Sequence, residues 1–344
     1  MNKTIKILTV LLAAQLLLAV GVGLTDRSIT VTNEPVALVS FDTEKIDRIS
    51  LDGPEDAKVT LSKNDGDWVL PDLGEFPANN NKVNQLLERL EALRSNTPLA
   101  TSAGARERFK VSDEQFERRI TLSEGNDAVA RLFLGSSPGI RLIHARNEAS
   151  DAIHAVKMAE FDVPVKTSDW EDKSILTLPK TRITAIKVNG LHLQRNTLAA
   201  DSDKANDDSS QSPTWQAYGL AEGKQLETSA VDKLAGLLAD LRFEKVMGHE
   251  IKDEYGLEEP VLELSLTPRG GERVTYRVGK AKDREEYTLK LSTRPEYFRL
   301  VSYKTKPLIE AASLEELTER SPQSGEEAVS SKTVSYTHLR AHET

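Results

Sequence analysis

The chain has no cysteine among its 344 residues. This absence excludes disulfide bonds, thiolate metal sites and a cysteine nucleophile, and it also excludes an N-terminal cysteine modified with lipid. Basic stripes are missing too: the net charge is −9, and Lys and Glu are mixed along the chain. Nucleic acid is therefore not expected as a partner.

Motifs that carry catalysis or cofactor binding are also missing. The sequence contains no H-E-x-x-H, G-x-S-x-G, G-x-x-x-x-G-K-[ST] or G-x-G-x-x-G segment. We therefore expect a protein that is not an enzyme, and the sequence identifies no catalytic, cofactor-binding or metal-binding residue.

Histidines are the remaining candidates for a metal site. His144 and His154 lie on two strands of one predicted hairpin, where they would be able to approach each other. A third ligand is not evident, so surface positions on a sheet explain them better than a metal site does. His192 and His249 are isolated in the sequence.

Residues 7–24 form one long apolar run that follows Lys3 and Lys6. At ~1.5 Å per residue a helix of this length nearly spans the hydrocarbon of a bilayer. The lysines predict an N-terminus in the cytoplasm and an exported bulk, that is, a single-pass inner-membrane protein. The alternative is a signal peptide cleaved after the small residues Ala19-Val20-Gly21. The length of the run favours a retained anchor over residues 1–24.

Two copies of one amphipathic helix are predicted at 81–94 and 229–242, with matching residues 148 positions apart. Apolar residues recur in both at steps of three and four, which is one face of an α-helix. Asn81 and Ser229 are the predicted N-caps. One interpretation makes either stripe a docking face for a partner helix. An amphipathic helix normally buries its stripe in its own domain, and we favour this second interpretation.

The rest of the chain repeats in the same order around these helices: strand, Trp, helix, aromatic-x-aliphatic, hairpin, hairpin. Gly279 falls on Gly135 in this alignment. The repeat predicts an α+β fold, a tandem duplication of a mainly antiparallel sheet with one principal helix per unit. Trp68 and Trp215 occupy matching positions; they suggest core anchors more than carbohydrate-stacking rings.

The predicted organisation follows from these patterns. It comprises the anchor 1–24, a connector 25–40, a first repeat 41–178, a second repeat 179–312 with a mobile loop 199–213, a disordered tail 313–333, and a segment 334–344 that looks like translated sequencing adapter. The acidic loop lacks the spacing and the glycine of a calcium loop.

These features together resemble the bacterial domain-of-unknown-function family called "forty-three forty". The resemblance rests on the N-terminal apolar segment, on Phe41…Ile46-x-x-Ile49-x-Leu51, on Trp68-Val69-Leu70 and on the helix from Val83 to Arg94. Members are often encoded beside ABC-type permeases and gliding-motility-type auxiliary proteins. The resemblance implies a non-enzymatic accessory or binding subunit of an ABC-type transport complex in the cell envelope. The alternative is a free-standing envelope scaffold that binds cell-wall polymer.

Overall fold

The computed structural model describes residues 35–95, 97–196 and 214–320. Two compact units divide between Trp170 and Glu171. The helices are α1 (Asn80–Glu91), α2 (Ala103–Arg108), α3 (Thr228–Ala239), α4 (Ser302–Ala311) and α5 (Leu314–Leu317).

Unit 1 is built on an eight-stranded antiparallel sheet. The strands of unit 1 as a whole are β1 (Val36–Ala37), β2 (Arg48–Asp52), β3 (Lys58–Asn64), β4 (Asp67–Leu70), β5 (Phe76–Pro77), β6 (Arg94–Ser95), β7 (Arg118–Glu124), β8 (Asp127–Leu134), β9 (Ile143–Asn147) and β10 (Ile153–Val156). The large sheet has the order β10-β9-β8-β7-β2-β3-β4-β5, and β1 pairs separately with β6. Alternating apolar residues in β2 and β3 place Ile49 opposite Leu61 and Leu51 opposite Val59, all fully buried.

Unit 2 is built on a second eight-stranded antiparallel sheet. Its strands are β11 (Ile183–Val188), β12 (Leu191–Arg195), β13 (Trp215–Tyr218), β14 (Lys224–Leu226), β15 (Phe243–Val246), β16 (Leu262–Pro268), β17 (Val274–Lys280), β18 (Tyr287–Leu291), β19 (Tyr297–Leu300) and β20 (Thr318–Arg320). The large sheet has the order β13-β12-β11-β16-β17-β18-β19-β15, and β14 pairs with β20.

Seven strands follow one order in both sheets. In unit 1 they run β4-β3-β2-β7-β8-β9-β10, and in unit 2 they run β13-β12-β11-β16-β17-β18-β19. In chain order each set reads third, second, first, fourth, fifth, sixth, seventh. The predicted mainly antiparallel α+β architecture with two large sheets is therefore confirmed. The units differ at the edges, where β5 extends one sheet and β15 the other.

The two principal helices bury the stripes that the sequence predicts. Val83, Leu86 and Leu90 are buried in α1, as are Val231, Leu234 and Leu238 in α3. These residues recur at steps of three and four, so they lie along one face of each helix and join the core. The leucine stripes are thus core residues of the units and not free docking faces.

The predicted helix ends are wrong by two or three residues. Asn79, not Asn81, is the N-cap of α1: its side chain accepts the N–H of Lys82. Glu227, not Ser229, caps α3 and accepts the N–H of Ser229. Arg94 lies beyond the end of α1, yet its guanidinium still donates to the carbonyl of Glu91 and so serves the helix terminus.

A glycine holds the same place in each repeat. A Cβ on Gly135 would lie 2.0 Å from the carbonyl oxygen of Phe109, and one on Gly279 would lie 2.2 Å from that of Tyr255. Only a glycine permits this close approach of two backbones. The residues after the two aromatics, Lys110 and Gly256, both have positive φ, 56° and 63°. The predicted match of these segments is confirmed at the level of backbone geometry.

In each unit we call the segment after the seventh strand the closing segment, residues 157–170 in unit 1 and 301–317 in unit 2. Each follows the seventh strand and returns to the start of the principal helix. The N–H of Asn79 donates to the carbonyl of Trp170 (2.7 Å), and the N–H of Glu227 donates to that of Leu317 (3.0 Å). This shared contact explains why unit 1 ends at Trp170.

The boundary predicted from the sequence lies further along, at residues 178/179. Residues after Trp170 instead make contacts within unit 2: the buried carboxylate of Glu171 accepts the N–H of Val246 (3.1 Å), and the amino group of Lys173 donates to the carbonyl of Glu244. The N–H of Leu178 donates to the carbonyl of Ala239 (3.0 Å). These side-chain and backbone partners are far away in the sequence, so no local pattern shows them.

Two further expectations need correction. Unit 2 contains a second long helix, α4, whose Leu308 and Ala311 are buried, so one principal helix per unit describes only unit 1. The tail predicted to be disordered from residue 313 begins with α5 and β20, and Leu317 is buried. The predicted anchor 1–24, the loop 199–213 and residues 321–344 lie outside the described residues. Within the described ranges no helix is long and apolar enough to cross a bilayer.

Candidate functional site

The histidines considered from the sequence do not converge. His144 lies opposite Ala155 and His154 lies opposite Ala145 on the β9–β10 pair. Paired residues point to the same face of a sheet, and successive residues of one strand point to opposite faces. His154 therefore shares a face with Ala145, and His144 points to the other face. His154 contacts Ser95, while His192 lies near the ring of Tyr218. Within the described ranges no group of three metal-binding side chains is present.

The two matching tryptophans are core residues, as predicted. Trp68 and Trp215 are buried. Each also has a cation across the strand pair: Lys63 lies opposite Trp68 with its ammonium 5.9 Å from the ring, and Arg195 lies opposite Trp215 with its guanidinium 4.8 Å from the ring. Buried rings cannot stack on a sugar from solvent, so these positions belong to the core and offer no carbohydrate platform.

A groove on the surface of unit 1 is the stronger candidate. Three adjoining cavities of about 660, 550 and 520 Å³ are all lined by Phe161, and we call them together the Phe161 groove. The largest is lined by Arg89, Ile140, Arg141, Leu142, Lys157, Met158, Phe161 and Asp162. Phe161 is 74% exposed and Ile140 is 95% exposed. Large apolar side chains so open to water, beside cavities, are typical of interaction sites.

Phe161 is exposed because a network of polar contacts fixes the short turn that carries it. The turn is a single 3₁₀ helix, Glu160–Asp162. Arg118, itself nearly buried, donates from Nε to the carbonyl of Val163 (2.9 Å) and from Nη2 to Glu160 (2.6 Å). Asp162 accepts the N–H of Ala159 (2.9 Å) and forms a salt bridge with Arg89 of α1. The ring therefore points outward from a rigid support.

A second fixed turn presents Ile140 and Arg141. The N–H of Leu142 donates to the carbonyl of Gly139 (3.2 Å). The hydroxyl of Ser137 lies 2.7 Å from the carbonyl oxygen of Gly139 and 2.8 Å from that of Leu142, and its single hydrogen is shared between these two acceptors. Arg141 has a φ of 54°, at a turn position that usually takes Gly or Asn. A non-glycine residue in this conformation costs on the order of 1 kcal/mol, which is a feature of many binding sites.

The charges of the largest cavity are unbalanced. Arg89 is paired with Asp162, but Arg141 and Lys157 form no salt bridge with any residue in the described ranges. Both are exposed. The cavity therefore combines apolar walls with two unpaired cations, an arrangement that can bind an anionic group attached to an apolar body.

Ser136 and His144 form a polar pair at the edge of this surface. Their Oγ and Nδ1 atoms are 3.0 Å apart, and Ser136 lines the 520 Å³ cavity. Burial lowers the pKa of His144 below its usual value. Among the described residues no carboxylate hydrogen-bonds to His144, so the pair lacks the third group that orients a catalytic base. We interpret it as structural, because the imidazole also packs on Phe109, with ring centroids 4.2 Å apart.

Sequence reasoning did not identify the Phe161 groove. The sequence neighbours of its two exposed apolar residues are the one local indication: Ile140 lies in the turn sequence Ser-Ser-Pro-Gly-Ile-Arg, and Phe161 lies between two acidic residues. A large apolar residue in such a setting has no local core to join. Periodicity does not reveal these residues because neither lies in a regular helix or strand.

The described parts of the chain form an α+β protein of two repeated antiparallel units, one of which carries an apolar and cationic groove. The sequence profile described as "Domain of unknown function (DUF4340)" matches residues 68–260, more than half of the chain. The chain belongs to this family, as the resemblance predicts. The matched region begins at Trp68 in unit 1 and ends at Pro260 in unit 2. No curated protein and no solved structure gave a significant match.

Proposed function

We propose that the protein is a membrane-anchored, non-enzymatic binding subunit of an ABC-type transport complex, and that the Phe161 groove is its contact surface for another subunit. The observation that carries this proposal is the exposure of Phe161 and Ile140 on rigid turns beside cavities. Interfaces between proteins concentrate their binding energy in a few aromatic and arginine side chains, and the groove supplies Phe161, Arg89 and Arg141.

Placement in the envelope completes the proposal. The apolar run 7–24 with Lys3 and Lys6 before it supports a single helix in the inner membrane, an N-terminus in the cytoplasm and an extracytoplasmic bulk. A protein fixed beside a permease in this way meets its partners in two dimensions, so a small groove suffices for stable association.

A tandem duplication explains how one unit became free to bind. Both units keep the seven-strand order, the close-approach glycine and the closing contact to the helix N-terminus. They differ in the closing segment, which contains the ten-residue helix α4 in unit 2 and the short turn with Phe161 in unit 1. Unit 2 keeps a covered helix, and unit 1 presents a groove.

Co-purification tests the proposal. After extraction in mild detergent, the tagged full chain is expected to bring down the permease and ATPase subunits, and Phe161→Ala is expected to weaken that association. Tyr303→Ala, which removes an aromatic ring of similar exposure from unit 2, is the matched control. Recovery of peptidoglycan without permease would instead support the envelope scaffold and contradict the transport role.

The anchor has its own test. An alkaline wash should leave the full-length protein in the membrane fraction, and protease added to spheroplasts should digest the bulk. A mature N-terminus beginning at Val22 or Thr25 would show that the segment is a cleaved signal peptide.

A further inference from the structure

The place beside the principal helix differs in chemistry between the two repeats. In unit 2, α4 packs against α3 within the closing segment. Ala230 of α3 is buried and Leu237 is half-buried. The equivalent positions in α1, 148 residues earlier, are Lys82 and Arg89, and both line the Phe161 groove. The same fold position is therefore apolar in one repeat and cationic in the other.

The closing segment of unit 1 leaves room where that of unit 2 supplies a helix. It contains two single-turn 3₁₀ helices, Glu160–Asp162 and Thr167–Asp169, in place of α4. Its Phe161 ring is exposed, whereas Leu308 and Ala311 of α4 are buried. Cavities lie along this segment next to α1. The repeat thus shows that this fold accepts a helix beside its principal helix.

We infer that the Phe161 groove binds an amphipathic helix of a partner protein, with an apolar face flanked by Asp or Glu residues. The inference rests on the proposed function for the existence of a partner, and it adds the chemistry of that partner. Phe161, Ile140 and the half-buried Leu142 offer apolar contacts to residues spaced i, i+3 or i+4 and i+7, the usual anchors of a helix in a groove. Arg141 and Lys157 offer charge partners to the flanking carboxylates.

The shape of the groove distinguishes a helix from an acyl chain as the occupant. An acyl chain requires walls that enclose it on most sides, since its whole surface is apolar. Ile140 and Phe161 instead stand out from the surface and line cavities that adjoin one another around a single ring. Projecting side chains of this kind fit between the side chains of a facing helix, as ridges fit into grooves.

Fluorescence polarisation with the full chain in detergent tests the inference. The probe is a labelled synthetic helical peptide with leucines on one face and glutamates on its flanks. Two control peptides replace every glutamate by lysine, or place a proline in the centre of the acidic helix. We expect the acidic peptide to bind and both controls to bind at least tenfold more weakly. Equal binding of the acidic and lysine peptides would overturn the inference.

Variants of the groove locate the binding. Phe161→Ala is expected to weaken the acidic peptide roughly thirtyfold, as loss of an interface hot spot does. Arg141→Glu combined with Lys157→Glu should reverse the preference in favour of the lysine peptide. The matched control, Arg273→Glu combined with Lys282→Glu, makes the same charge change on exposed residues of unit 2 and should leave binding unchanged. Equal loss in the control variant would overturn the inference.

Two further outcomes separate this inference from the proposed function. If the permease and ATPase co-purify with the wild type and with Phe161→Ala equally, the groove inference fails and the transport role stands. If the acidic peptide binds with the expected pattern but no transport subunit co-purifies, the transport role fails and the groove inference stands.

Vesicles of phosphatidylglycerol that compete with the peptide as strongly as unlabelled peptide does would overturn a protein helix as the occupant.

Discussion

Trp170 joins the end of unit 1 to the start of its principal helix, and its removal tests that account of the unit. The side chain is fully buried, and its indole N–H donates to the carbonyl of Pro164 (2.8 Å). Its own carbonyl accepts the N–H of Asn79, and the ammonium of Lys82 lies 5.0 Å from the ring centroid. The residue therefore connects the closing segment to the N-terminus of α1.

Trp170→Ala is expected to lower the free energy of unfolding of unit 1 by about 3–5 kcal/mol, the usual cost of truncating a buried Trp or Phe. Trp170→Phe keeps most of the ring and loses the hydrogen bond of the indole. Its expected cost is about 1–3 kcal/mol, from one buried hydrogen bond and imperfect filling of the site.

Hydrogen exchange measured by mass spectrometry on the full chain assigns the loss to a unit, because peptides from residues 48–156 and 183–300 report on separate sheets. Urea denaturation followed by circular dichroism supplies the free energy. We expect faster exchange in unit 1 peptides and little change in unit 2 peptides. A loss of less than about 1 kcal/mol in the free energy of unfolding of Trp170→Ala, or an equal loss of exchange protection in both units, would refute the role assigned to Trp170.

Three more predictions concern the repeats and pH. Leu90→Ala and Leu238→Ala should each lower the free energy of unfolding by about 2–5 kcal/mol, because each leucine lies in the core of its own unit. Denaturation of the double mutant should give a loss near the sum of the two, and strong coupling between the sites would contradict independent cores. Gly279→Ala should destabilise unit 2 by more than about 1 kcal/mol, because the added Cβ would clash with the carbonyl of Tyr255. The control Gly236→Ala, which adds a Cβ to a helix where the space is open, should be neutral or stabilising by up to about 1 kcal/mol. Thermal melts of both variants measure the difference. Burial lowers the pKa of His144 and of His154, so the unfolded chain binds more protons; stability from the neutral imidazoles is full above the unfolded pKa of about 6.5 and falls as pH drops below it. Urea midpoints at falling pH should decline less steeply for His144→Gln, and an unchanged slope would contradict that assignment.

Periodic residues determined most of the fold by themselves. The alternation of Lys58 to Lys63 specifies a strand with one buried face, and the leucine stripe specifies α1, because side chains repeat every two residues in a strand and every 3.6 in a helix. The duplicated order of these patterns is enough to predict two similar units. Trp68 and Trp215 were identified as core residues for the same reason.

Features that leave no periodic pattern of apolar residues in the sequence were decided by the tertiary structure. The end of unit 1 at Trp170 is set by a hydrogen bond to Asn79, ninety-one positions earlier by their residue numbers. The contacts of Glu171 and Lys173 with β15 span 75 and 71 positions. The caps at Asn79 and Glu227 depend on backbone angles that neighbouring polar residues allow equally well. The helix α4 was missed because Pro307 interrupts its pattern.

The Phe161 groove was decided by tertiary structure alone. Phe161 and Ile140 come from two irregular segments, and only the folded chain places them beside Arg89 of α1. The sequence determines that both residues are apolar and that each lies among turn-forming or charged neighbours. Whether such a residue is buried depends on what packs above it, and in unit 1 the polar contacts of Arg118 and Asp162 fix the supporting turn with the ring outward.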